Sequence, residues 1–121
     1  MKILVVDDEA FGTILSMMLE DLFPACCIDV ASSPREAFEY LESYPYDVVI
    51  SDFNLGADVV PNGIGILLRA KEINSAIVAI LMSAEDIRVE AIKNLGVDCF
   101  LKKPIEMELI KKKIQNFRKR S

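Results

Sequence analysis

Short apolar runs alternate with helical stripes along the whole chain, and this alternation limits the possible folds more than any other feature. The runs are Lys2–Val6, Cys27–Val30, Asp47–Ser51, Ile77–Met82 and Asp98–Leu101. They are short and mostly β-branched or aliphatic, which predicts β-strands. After the first run, Phe11, Ile14, Leu15, Met18, Leu19, Leu22 and Phe23 fall at i, i+3, i+4, i+7, i+8, i+11 and i+12. That is one face of an amphipathic helix, and Pro24 stops it. Ser33-Pro34 reads as an N-cap and first helical position, opening a helix that buries Ala37, Phe38 and Leu41. A third helix is expected over Asn62–Asn74, with Ile66, Leu67, Ala70 and Ile73 inward. The lone Gly63-Ile64-Gly65 at its start reads as punctuation, since the rest of a nucleotide fingerprint is missing. A fourth helix, Glu85–Leu95, closes on Gly96 at the C′ position. The last begins near Glu106 and buries Met107, Ile110, Ile114 and Phe117.

Strand and helix thus alternate five times, which predicts an α/β fold with a doubly wound, five-stranded parallel sheet and helices on both faces. Continuous apolar strands agree, because such strands are buried on both sides. Right-handed crossovers leave few topologies, and the common one has strand order 2-1-3-4-5. The 121 residues suit one domain and show no linker or repeat, so 1–121 is read as a single unit.

Residue usage removes several functions. The chain has no His and only three Cys, so neither a Ser-His-Asp triad nor a zinc finger can be built. Cys26, Cys27 and Cys99 are odd in number and two are adjacent, a poor disulfide framework. They read as reduced thiols of a cytoplasmic protein. No apolar run reaches the roughly 18 residues that a membrane span needs. Residues 1–101 carry a net charge of −11 and residues 102–121 a net +6. The acidic body argues against direct nucleic-acid binding. The basic end, with Lys111-Lys112-Lys113 and Arg118-Lys119-Arg120, reads as a solvated helix face whose cations suit a helix C-terminus.

Ligands of open α/β sheets bind beyond the carboxyl ends of the strands, at the switch point between strands 1 and 3. There the chain places Asp7-Asp8, Asp52, Ser83-Ala84 and Lys103-Pro104. Three carboxylates in one cleft repel one another, so either a cation is present or one of them takes a proton. A hard divalent ion such as Mg²⁺ fits, taking one or two carboxylates, waters and a phosphoryl oxygen. With a lysine and a hydroxyl, the site has the parts that phosphoryl transfer requires, and a carboxylate can itself be the nucleophile.

In these residues the chain resembles the receiver domains of two-component response regulators. The segments that carry the resemblance are ILVVDDE (3–9), VVISDFN (48–54), AILMSAE (79–85) and GVDCFLKKP (96–104). The resemblance implies the flavodoxin-like form of the doubly wound sheet. It implies Asp52 as phosphoacceptor. Asp7, Asp8 and Asp52 would hold Mg²⁺, Asp8 directly and Asp7 partly through water, with the backbone carbonyl of Asn54. Ser83 would hydrogen-bond the phosphoryl group and Lys103 would pair with it. Phe100 would be the switch aromatic, the Lys103–Pro104 bond would be cis, and Lys102 matches nothing. The donor would be a sensor histidine kinase or histidine phosphotransfer protein. The response would be a change of the surface formed by the helix over 85–95, the fifth strand and the last helix. The domain would be a switch with weak phosphotransfer and autodephosphorylation activity rather than an enzyme.

The alternative is a Mg²⁺-dependent phosphohydrolase with an aspartyl-phosphate intermediate. Such enzymes usually carry a second Asp two residues after the nucleophile, where this chain has Asn54. The chain departs from the receiver pattern after Asp52, where the next Gly of the pattern, Gly63, comes about three residues late. Asp58 in the lengthened segment is expected to face solvent.

Overall fold

A computed structural model describes residues 1–53, 63–86, 90 and 94–119. Among them, five parallel strands form one sheet in the order β2-β1-β3-β4-β5. The strands are β1 (Lys2–Val6), β2 (Cys27–Ala31), β3 (Val48–Asp52), β4 (Val78–Ser83) and β5 (Cys99–Lys102). The described helices are α1 (Glu9–Leu22), α2 (Pro34–Ser43), α3 (Gly63–Ile73) and α4 (Met107–Lys119). The helix expected over 85–95 lies largely outside the described residues. Gly96, which was to close it, has φ 93°, a left-handed conformation that suits glycine.

The period-two alternation of each strand divides the core between two layers. Leu4, Val6, Val49, Ala79 and Leu81 face α2 and α3, where they meet Ala37, Leu41, Ile66, Leu67 and Ala70. Ile3, Val5, Ile50, Ile80 and Met82 face the other way, onto Leu15 and Leu19 of α1 and Ile110 and Ile114 of α4. Every residue of the central strands β3 and β4 is buried, as continuous apolar runs require. Because α1 packs on one face and α3 on the other, a crevice opens at the carboxyl ends of β1 and β3.

Two inward assignments do not hold. Ile14 is 58% exposed and Ile73 is 42% exposed. The buried line of α1 is Gly12, Leu15 and Leu19, and a Cβ on Gly12 would lie 2.7 Å from Val30 Cγ1. The helix touches the sheet closest at that glycine, which turns Ile14 onto the flank. Ile73 is the last residue of α3, and Asn74 turns the chain at once toward β4, with Asn74 Oδ1 accepting from the Ala76 N–H at 3.0 Å.

Strands β3 and β5 each begin one residue later than their apolar runs. Asp47 donates its N–H to Lys2 O and accepts from the Lys2 N–H at 2.7 Å. Asp98 donates to Ala79 O, accepts from the Ala79 N–H at 2.7 Å, and pairs with Lys71 at 2.7 Å. Both acids fasten a strand's start to its neighbour.

At the other end of β3, helix α3 begins directly on the strand. The Gly63 N–H donates to Phe53 O at 3.3 Å, and a Cβ on Gly63 would run into the Asp52 carbonyl. Gly63→Ala is therefore expected to lower stability by about 1–3 kcal/mol, as forced overpacking does. A urea titration checks this, and an unchanged midpoint would mean that the close approach is relaxed in solution.

Candidate functional site

The crevice is lined by groups brought from the ends of β1, β3, β4 and β5. Asp7 follows β1 and is 1% exposed. Its Oδ1 accepts the Asp8 N–H at 2.6 Å, and its Oδ2 pairs with Lys103 Nζ at 2.8 Å. Burial pushes the Asp7 carboxyl above its ordinary value, against the pull of the Lys103 ammonium and the Asp8 amide, and the Asp52 charge adds to the push. Asp8 is exposed and caps α1, with Oδ1 accepting the Phe11 N–H at 2.8 Å. That bond holds its carboxyl below the ordinary value. Asp8 thus has a helix-capping role whatever else it does.

Asp52 ends β3, is buried, and stands with Oδ1 3.4 Å from Lys103 Nζ. Lys103 directly follows β5 and precedes Pro104 through a cis bond, and its N–H donates to Ser83 O at 2.8 Å. Burial alone would lower the ammonium's pKa. The hydrogen bond to Asp7 and the charges of Asp7 and Asp52 outweigh burial, so the net direction is upward. One cation thus bridges two buried acids that would otherwise repel.

Ser83 ends β4 and is fully buried, with Oγ accepting the Glu85 N–H at 3.0 Å. It is a turn-forming residue at the crevice rim as well as a site residue. Phe100 is half-buried and packs with the α2/α3 layer. It lies across from Leu81, and Ser83 lies across from Lys102, so Phe100 and Ser83 project to the same face of adjacent strands, two register positions apart. Lys102 pairs with Asp86 at 2.6 Å rather than with Asp7 or Asp52.

The strand ends therefore bring Asp7, Asp8, Asp52, Ser83 and Lys103 together at one end of the sheet. Asn54 and Asp58 lie outside the described residues. Sequence reasoning treated Phe11 only as part of the α1 stripe. Its ring also lies under the site, 4.1 Å from Lys103 Nζ to the ring centroid. The N-cap spacing, from Asp8 to the amide three residues on, marks only the Phe11 main chain, so no local signal gave the ring's place.

The response regulator receiver domain model matches residues 3–115. The chain belongs to that family. Receivers are the signalling switches of two-component systems, and this receiver has the family's sheet. Among solved structures it is similar to the signal receiver domain of a DNA binding response regulator protein (merR) from Colwellia psychrerythraea 34H. That match has 29% identity and TM-score 0.83, and covers 98% of both chains. It shares its fold with the receiver domain of the sensor histidine kinase PA1611 from Pseudomonas aeruginosa PAO1, whose active site cleft holds a coordinated magnesium ion. Identity there is 21% and TM-score 0.77, covering 96% of this chain and 95% of that one. It also shares the fold of a Burkholderia pseudomallei response regulator with a phosphorylated aspartic acid, calcium ion and citrate. Here identity is 20% and TM-score 0.83, covering 98% of this chain and 69% of that one. No curated protein matches the sequence. Among the described residues of this receiver, no helix is long and apolar enough to cross a membrane.

Proposed function

We propose that Asp52 accepts a phosphoryl group from phosphohistidine on a sensor histidine kinase or phosphotransfer protein, and that the whole of 1–121 acts as one phosphoacceptor switch. The observation that carries this reading is the Lys103 ammonium held between Asp7 and Asp52, 3.4 Å from the Asp52 carboxylate. A carboxylate oxygen of Asp52 attacks phosphorus, the bond from phosphorus to the imidazole nitrogen breaks, and that nitrogen keeps the electron pair. Lys103 balances charge as the phosphoryl oxygens arrive. Water later attacks the acyl phosphate, releasing inorganic phosphate and restoring the carboxylate. The thiols of Cys26, Cys27 and Cys99 are free, which suits a cytoplasmic setting.

The residues also fit Mg²⁺. Asp8 offers an exposed carboxylate held in its charged form, and Asp7 a buried one beside Asp52. Among the described residues no three such groups form a ready cation cage, but Mg²⁺ does not need one, since waters and a phosphoryl oxygen complete its shell. Asp7, Asp8 and Asp52 with the Asn54 carbonyl would hold it, and its charge would stabilise the oxygens of the group in transit. The magnesium in the Pseudomonas receiver and the phosphorylated aspartic acid in the Burkholderia protein support this reading. Incubation with acetyl phosphate and Mg²⁺, followed by intact-mass measurement, tests it. A single added phosphoryl group is expected, and no mass gain under any Mg²⁺ concentration would refute the function.

The same-face placement of Ser83 and Phe100 supports the switch. A phosphoryl group on Asp52 draws the Ser83 hydroxyl to it, and the vacated space admits the Phe100 ring. Phe has no hydroxyl, so its inward state rests on packing alone. The surface carried by β5, α4 and the segment after Ser83 is reshaped. Ser83→Ala is expected to accept phosphate but transmit it poorly. NMR amide shifts on adding beryllofluoride read the effect. Equal shifts across 85–106 in wild type and variant would remove Ser83 from the switch.

A further inference from the structure

We propose that Phe11 is the positioning residue for the site's ammonium, its ring forming the third wall that keeps Lys103 Nζ between Asp7 and Asp52. This rests on the phosphoacceptor reading above, which it deepens. Lys103 Nζ has Asp7 Oδ2 at 2.8 Å, Asp52 Oδ1 at 3.4 Å and the Phe11 ring centroid at 4.1 Å. Its side chain is 19% exposed, so most of its length is withdrawn from water. A lysine is a point charge on a flexible stem with nothing in itself to fix its place. Two acids at unequal distances draw it toward the nearer one, Asp7. The face of an aromatic ring is electron-rich and attracts the ammonium without a fixed direction. It therefore holds Nζ at this spot yet lets it slide toward Asp52 when charge arrives there.

The ring is itself placed firmly. Phe11 packs on the layer beneath α1, and its N–H is the donor to Asp8 Oδ1 at 2.8 Å. One residue thus fixes a carboxylate through its main chain and a cation through its side chain. An aliphatic residue would keep the first contact and lose the second.

The test compares Phe11→Leu and Phe11→Tyr with wild type. Leu preserves an apolar side chain and the amide to Asp8, whereas Tyr preserves the ring. Phe11→Leu is expected to slow phosphorylation by acetyl phosphate, and to weaken beryllofluoride binding, by about three- to tenfold, the scale of a cation–π contact between the exposed and the fully desolvated limits. Phe11→Tyr is expected to stay within about twofold of wild type. A purely structural role would not separate the two variants in this way. A second readout needs no phosphoryl donor and no variant. The Lys103 Hε protons of wild type should lie upfield of ordinary lysines because of the ring current. Ordinary Hε shifts in the wild-type protein would overturn the proposal, as would Phe11→Leu reacting at the wild-type rate. Upfield Hε shifts with no phosphorylation of wild type would instead refute Asp52 as acceptor and leave the placement of Lys103 by Phe11 standing.

Discussion

Replacing Asp52 with Asn is expected to abolish phosphoryl uptake, reducing it by about a thousandfold or more. The amide has nearly the shape of the carboxylate but lacks the anionic oxygen that attacks phosphorus. Removing the charge also frees Lys103 from one of its two acids, so the ammonium is left to Asp7. The fold should survive, because one of two mutually repelling buried carboxylates has gone. Intact mass after treatment with acetyl phosphate and Mg²⁺ is the measurement, with a melting curve as control. A folded variant that gains the phosphoryl mass at the wild-type rate would show that another residue is the acceptor.

The second large effect concerns Asp7. Its carboxyl titrates above the ordinary value because it is buried beside Asp52. The folded state therefore binds the proton more tightly than the unfolded state does. Stability then falls as pH rises from the unfolded pKa through the raised folded one, and stays lower above it. At neutral pH the metal-free protein carries that penalty. Asp7→Asn removes the charge, and its side-chain oxygen still accepts the Asp8 N–H. The variant should be more stable than wild type at pH 7 without metal, by about 1–2 kcal/mol. The gap should close below the titration window. Mg²⁺ should reverse the order. At a hundred times its Kd, a ligand of the folded state adds about 2.7 kcal/mol, and the variant should gain far less. Urea titrations at two pH values, with and without Mg²⁺, decide the matter. A variant less stable than wild type without metal, or one that gains equally from Mg²⁺, would contradict this account.

The strands and the acidic ends of β1 and β3 were legible because each signal is local. A period of two or a short apolar run marks a strand wherever it docks, and a sheet's carboxyl edge collects whatever ends its strands. The flanks of helices were not legible in that way. Ile14 belongs to the apolar stripe of α1, yet the helix docks through Gly12 against Val30, and only the docked pair reveals which stripe edge is turned out. Asp47 and Asp98 look like the first residues of strands, but each bonds a neighbouring strand's main chain one position earlier. Lys102 and Lys103 are adjacent and chemically alike. Their opposite directions, one to Asp86 and one to Asp7, follow from strand alternation and the turn at Pro104. The ring of Phe11 served two purposes at once, and periodicity records only the first.

The contact between Gly63 and the end of β3 bears on how such a domain diversifies. With the start of α3 pinned to the main chain of Phe53, the two ends of segment 54–62 are held together by the fold itself. Residues added between them do not have to bring those ends together. They cost only the slow logarithmic growth of loop entropy, about 0.6 kcal/mol for each doubling of length. The stretch of chain between Phe53 and Gly63 can therefore change in length and character through small evolutionary steps, each nearly neutral for folding. Asp52, the proposed acceptor, stays at the end of β3 through such changes.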